Sequence, residues 1–224
     1  TAGDEETKED SLIAHGIIYD EVPLKNNDVD YQKLEEMIDE TVTMVLIQRS
    51  KGYSTRKSLT VDDIEKICTI VKSKNPNCIC FVDNCYGEFV DSREPLEAGA
   101  DLIAGSLIKN PGGGIVEAGG YIAGKAKYVD KSANRLTAPG IGCEGGAMFN
   151  QHRLMFQGLF MAPSVVCDAV KGAVLAAKIF EEIGYNSAPK YNEKRTDIIQ
   201  NIIFGSPDPL EQFCRTIQSL SPVN

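Results

Sequence analysis

Histidine is scarce in this 224-residue chain: His15 and His152 are the only two. Neither sits in a catalytic motif, so a hydrolase built on a nucleophile and an imidazole has little to draw on. Long hydrophobic runs are wanting too. No apolar stretch reads as long enough to span a bilayer, and no charged-then-apolar leader opens the chain. Cysteine pairs at metal-site spacing are also missing. Cys78 and Cys80 alternate along one strand with no second pair, so zinc has weak support and no metal site is assigned. Nor is there an excess of positive charge: 23 Lys and Arg against 32 Asp and Glu leave a net −9. That balance argues against nucleic acid or an anionic membrane as a partner.

What is present suits a globular protein, with 42% hydrophobic and 25% charged residues. The length allows one good core, or a domain and a half. Seven cysteines, mostly embedded in apolar stretches, suit buried thiols in a reducing compartment, so a cytoplasmic location is expected.

Residues 1–10 are polar and expected to be loose. A strand is expected near Ile13 to Val22, then a turn and cap at Asn27 to Asp30 and a short amphipathic helix from Tyr31. The apolar run 41–48 suits a strand covered on both faces. Thr60 or Asp62 caps a helix that ends at Asn75-Pro76, and strands 78–84 and 100–106 follow. This alternation predicts parallel strands joined by right-handed crossovers. Residues 118–124 read as one more strand; Arg135 follows, and 136–146 are too glycine-rich for either regular element and read as a loop. The helical period from Ala147 to Ile183 is interrupted near Pro163, where Ser164 would cap a second helix. A turn and a further short helix close the chain.

The stretch 81–120 carries the chemistry. Asp83 closes one strand, Ser106 ends the next, and Lys109 follows three residues later in a loop rich in Gly and Pro. A carboxylate and a lysine on neighbouring strand ends beside a glycine loop form a cofactor-site pattern. Pyridoxal phosphate needs an acidic partner for its ring nitrogen, which Asp83 can supply, and an amine that titrates near neutrality, which Lys109 becomes if burial lowers its pKa. Ser106 and the backbone at Gly105 suit the phosphate. Taken singly, the lysine reads as solvated and the aspartate as a cap. A P-loop is excluded because no Gly precedes the lysine.

Asp83-Asn84, Gly99-Ala100-Asp101, Ser106-Leu-Ile-Lys109 and Gly119-Gly120, in that order, resemble the Cys/Met-metabolism branch of pyridoxal phosphate enzymes. The wording of 83–89, 105–114 and 135–142 is similar to the methionine gamma-lyase-like, aluminium-resistance carbon–sulfur lyase subgroup. The resemblance implies an α/β chain of fold type I, with a mostly parallel sheet, helices on both faces, and the start of a small C-terminal α/β domain. It implies 1–145 as the central part of the cofactor-binding large domain, 146–185 as a helical connection and 186–224 as the start of the small domain. The family is longer, so the chain is expected to be the middle of a larger enzyme. Further implications are Lys109 as the Schiff-base lysine, Asp83 and Ser106 as cofactor contacts, and a homodimer or homotetramer acting on a small-molecule amino-acid substrate; Tyr86, just past Asp83, either touches the cofactor or merely packs. Two departures bear on the substrate. Ile108 stands where the branch has Thr, and Gln48-Arg49-Ser50-Lys51-Gly52-Tyr53 replaces its Glu-x-Pro-x-Asn-Pro loop. Arg49 is a candidate for substrate carboxylate, and Arg56 shares its loop; an ion-paired or solvated surface arginine is the plainer alternative.

The expected activity is elimination from a sulfur-containing amino acid, of the methionine gamma- or cystathionine beta-lyase kind. Transamination or aldol cleavage with the same cofactor is the alternative. Two others are a hydrolase using Cys85 and a non-catalytic binding protein.

Overall fold

The computed structural model of the chain describes residues 11–146 and 148–222; the polar stretch 1–10 lies outside them. No strand forms near Ile13 to Val22. Residues 11–16 are a turn, the rest is irregular, and Ile18 is 97% exposed, with no partner strand to shelter it. A two-residue hairpin, β1 (Leu24–Lys25) and β2 (Asp28–Val29), turns on Asn26 and Asn27, both at positive φ.

The centre is a four-stranded sheet in the order β3-β4-β5-β6. β3 (Met44–Gln48), β4 (Ile79–Asp83) and β5 (Leu102–Ser106) are parallel, as the strand–helix alternation predicts. β6 (Gly120–Gly124) runs antiparallel to β5, pairing Ser106 with Gly120 and Leu102 with Gly124. The intervening residues form turns and one short 3₁₀ turn (Asn110–Gly112), with no helix to carry a parallel crossover.

The helix α1 (Tyr31–Met37) starts at Asp30, whose carboxylate accepts from Lys33 N–H. α2 (Val61–Lys74) starts at Thr60, and Thr60 and Asp63 cap each other reciprocally. Such a cap is worth about 1 kcal/mol. α2 buries Ile64, Ile67, Cys68 and Val71 against Ile47, Cys80, Val82 and Ile103 of the sheet. Each fully buried aliphatic side chain contributes about 1.5–3 kcal/mol. On the other face Met44, Leu46 and Ile122 remain 46%, 54% and 44% exposed. β3 is therefore an edge strand covered on one face only, where both were expected to be covered.

Residues 126–136, for which no element is expected ahead of the glycine-rich loop, form α3 (Ala126–Leu136). The long α4 (His152–Glu182) runs unbroken through Pro163. Pro163 removes one bond, to a turn whose Leu159 is 47% exposed and open to water, so no second cap at Ser164 is needed. α4 also corrects the expectation about apolar length: its best 18 residues reach a mean hydropathy of 1.6, enough by length and composition to cross a membrane. It carries Asp168, Lys171 and Lys178 and packs on the lysine loop. The chain ends with the hairpin β7 (Asn186–Ala188) and β8 (Asn201–Ile203), then α5 (Pro207–Leu220). Three cysteines expected to be buried, Cys143, Cys167 and Cys214, are exposed.

Candidate active site

Parallel pairing brings the C-terminal ends of β3, β4 and β5 to one edge. Arg49 N–H donates to the Asp83 carbonyl at 3.1 Å, and Asn84 N–H to the Ala104 carbonyl at 2.9 Å, which aligns the strand ends. Past Asp83 the chain turns sharply. Tyr86 and Phe89 take φ of 70° and 63°, a left-handed conformation that bulky residues seldom adopt. Strain of that kind persists where surrounding structure enforces it, and it gathers at functional sites.

The turn puts Asp83, Cys85, Tyr86 and Lys109 together. Asp83 is half-buried, and its Oδ1 accepts from Cys85 N–H at 3.1 Å. The Cys85 thiol lies close enough to the Asp83 carboxylate and the Lys109 ammonium for its titration to be shifted by both. Lys109 Nζ lies 4.2 Å from the centre of the Tyr86 ring. Burial pushes Lys109 down, but Cys85 and Tyr86 outweigh it, so the net shift is upward. The expected lowering of this lysine by burial is therefore corrected. Ser106 stands at the base of the lysine turn: its carbonyl accepts from Lys109 N–H at 3.3 Å and its Oγ from Ile108 N–H at 3.4 Å. Lys125 is at the opposite end of the sheet, paired with Asp101 at 2.5 Å. The five residues of β5 separate the two lysines by about 16 Å of strand.

Burial raises the Cys85 thiol first, Asp83 adds to it, and the opposing pull of Lys109 is smaller. A thiol held up in this way is a poor nucleophile. Both histidines are exposed and distant in sequence, so the cysteine-hydrolase reading gains nothing.

The structure places Arg49 behind this edge. It is fully buried, with Nη1 donating to Asn84 Oδ1 at 2.8 Å and paired with Glu94 at 3.3 Å, and Nη2 3.5 Å from Thr196 Oγ1. A Cβ on Gly87 would fall 2.5 Å from the Arg49 side chain, so only glycine leaves room for it. In this arrangement the guanidinium has no surface from which to reach a substrate carboxylate. Arg56 instead pins its own loop, donating to the carbonyls of Gln48, Ser50 and Lys57.

Several contributors were not foreseen. Residues 196–198 fold over the site: Thr196 Oγ1 donates to the Leu59 carbonyl, Asp197 accepts from Ser50 and Ser58, and Ile198 N–H donates to the Tyr86 carbonyl. Gly158 of α4 meets the lysine turn backbone to backbone. A Cβ there would fall 2.3 Å from the Gly112 carbonyl, and one on Gly113 2.4 Å from the Gly158 carbonyl. A single glycine inside a helical period was the only signal in the sequence.

The whole chain, residues 1–224, matches the family described as methionine gamma-lyase. The chain belongs to that family. Among curated relatives, the uncharacterized protein YnbB of Bacillus subtilis is 47% identical over 96% of this chain and 51% of its own length. A crystal structure from Clostridium acetobutylicum, described as a candidate cystathionine beta-lyase involved in aluminum resistance, is 50% identical with a TM-score of 0.94. It is covered over 54% of its length, and this chain over 99%. A carbon–sulfur lyase involved in aluminum resistance from Clostridium novyi NT is 48% identical with a TM-score of 0.92, covering 98% of this chain and 53% of that one. The chain thus spans about half the length of these relatives. Family membership, the mixed α/β architecture and the mostly parallel central sheet agree with the architecture expected of a pyridoxal phosphate enzyme.

Proposed function

We propose that this chain holds the cofactor-lysine core of a pyridoxal phosphate-dependent carbon–sulfur lyase of fold type I, with residues 186–222 beginning the small domain. The convergence of Asp83, Cys85, Tyr86 and Lys109 at one sheet edge carries the reading. The donor set fits the cofactor: a carboxylate on a rigid strand end, a lysine one strand away, and a hydroxyl and glycine at the turn between them. Bound there, pyridoxal phosphate supplies an electron sink for the bond-breaking at the substrate's α-carbon. Asp83 holds the positive charge of the ring nitrogen. Ser106 Oγ and nearby backbone N–H groups bind the phosphate, and Tyr86 packs at the lysine. Lys109 Nζ tethers the cofactor, then moves a proton from the substrate α-carbon toward the departing sulfur.

The substrate we infer is a sulfur-containing amino acid, cleaved by gamma- or beta-elimination. The lyase descriptions of the relatives support that choice. Exposed Phe156, Phe160 and Leu159 on α4 favour burial against a further protein surface, and we infer a homodimer or homotetramer.

Borohydride treatment of the full-length protein should fix the cofactor to the peptide bearing Lys109, and Lys109→Ala should abolish both the label and turnover. Thiol or sulfide release together with a 2-oxo acid supports elimination, whereas amino-group exchange without thiol release would mean transamination. A label on Lys125 or Lys127 would overturn the site.

A further inference from the structure

Behind the lysine turn lies a carboxyl group for which the proposed chemistry has no use. Glu88 is 4% exposed. Its Oε1 accepts from the Tyr121 hydroxyl of β6 at 2.8 Å, and its buried Oε2 has no partner. Its carbonyl accepts from Asn110 Nδ2 at 3.0 Å, and Asn110, 5% exposed, is the residue after Lys109. The carboxyl group also rests on Gly105, where a Cβ would fall 2.4 Å from Oε1. Glu88 thus touches the strand end just before Ser106, the neighbouring strand, and the first residue past the lysine.

We propose that Glu88 is a positioning residue for Lys109: its carboxyl group over Gly105 and its carbonyl on Asn110 set the height of the 105–110 turn. That in turn places Lys109 Nζ against Cys85 and Tyr86. The inference rests on Lys109 being the cofactor lysine. Burial above all lifts the Glu88 carboxyl to about 7, with Glu94 raising it and Tyr121 and Arg49 opposing. Those three are the titratable and charged groups that face it, from the loop after β4, from β6 and from the end of β3. The acid is therefore mostly neutral below about pH 7 and ionises as the pH rises through that value. Ionisation places a second carboxylate beside Glu94 with Arg49 as the only cation named there, and the turn loses its neutral support.

The test uses the full-length protein with Glu88→Ala, Glu88→Asp and Glu88→Gln. Glutamine keeps an acceptor for Tyr121 and the same reach but does not titrate; aspartate is one methylene short. Glu88→Ala and Glu88→Asp should lower kcat at least tenfold with KM changed less than twofold. They should also reduce borohydride trapping at Lys109, and speed amide hydrogen exchange across 106–113 in cofactor-free protein. Glu88→Gln should restore all three and erase a loss of kcat with midpoint near pH 7. Unchanged exchange and kcat in Glu88→Ala would overturn the proposal. Should that variant fail to fold, a Glu88→Gln enzyme that keeps the limb near pH 7 would overturn it as well. A wild-type enzyme with no label on Lys109 would remove the reading beneath it, an outcome distinct from any failure at Glu88.

Discussion

Arg49 offers a sharp test, because a role in binding substrate and a role in holding the fold predict different measurements. Truncating it to alanine removes a fully buried cation, the 2.8 Å bond to Asn84 and the 3.3 Å pair with Glu94. Breaking a buried ion pair costs about 3–5 kcal/mol. Glu94 is 33% exposed on its side chain, so water recovers part of its solvation and the lower end applies. The stranded Asn84 acceptor adds roughly 1 kcal/mol, partly offset because its amide still donates to Glu94 and faces Tyr121. A loss of ~3 kcal/mol is the expected outcome, read by urea denaturation of the cofactor-free protein. Arg49→Lys should recover little, since a single ammonium cannot serve Asn84, Glu94 and Thr196 at once. The reasoning is refuted if Arg49→Ala unfolds at the wild-type urea midpoint while KM rises tenfold or more; Arg49 would then be a substrate ligand.

Three other outcomes are expected. Asp83→Asn should fold normally and lose most elimination activity, because an amide cannot hold the ring-nitrogen proton; near-normal turnover would release Asp83 from that role. Gly158→Ala should cost about 1–3 kcal/mol through overpacking and displace the lysine turn, weakening cofactor uptake as followed by absorbance titration. Asp101 is fully buried. Burial raises its carboxyl, but Lys125, Lys72 and the Cys80 N–H outweigh that and hold it below the usual carboxylate range. A depressed folded-state value stabilises the protein above the unfolded value, about 3.9, and that stability is lost as pH falls through the folded value. Asp101→Asn should therefore lower the melting temperature at neutral pH and flatten the acid limb below about pH 4, as read by melting curves across pH.

The βαβ run from Met44 to Asp83, a cap at Thr60, and the delivery of Asp83 and Lys109 to one edge were all legible in the sequence. Each depends on nearby residues: an apolar run, a capping spacing, a polar residue where a strand stops. Even the meeting of Asp83 with Lys109 needed only that their strands be neighbours, which parallel topology makes the default. The direction of β6, the burial of Arg49, the continuity of α4 and the seat of Glu88 were not legible. Arg49 reads as a loop arginine until Thr196 arrives 147 residues later to close over it. Pro163 reads as a break until the helix around it continues, and Gly158 as filler until the lysine turn packs on its backbone. Composition cannot carry such facts. They are set by which distant backbone segments meet, and burial then decides whether a charge is a surface ornament, a structural ion or a group packed beneath the turn that bears Lys109.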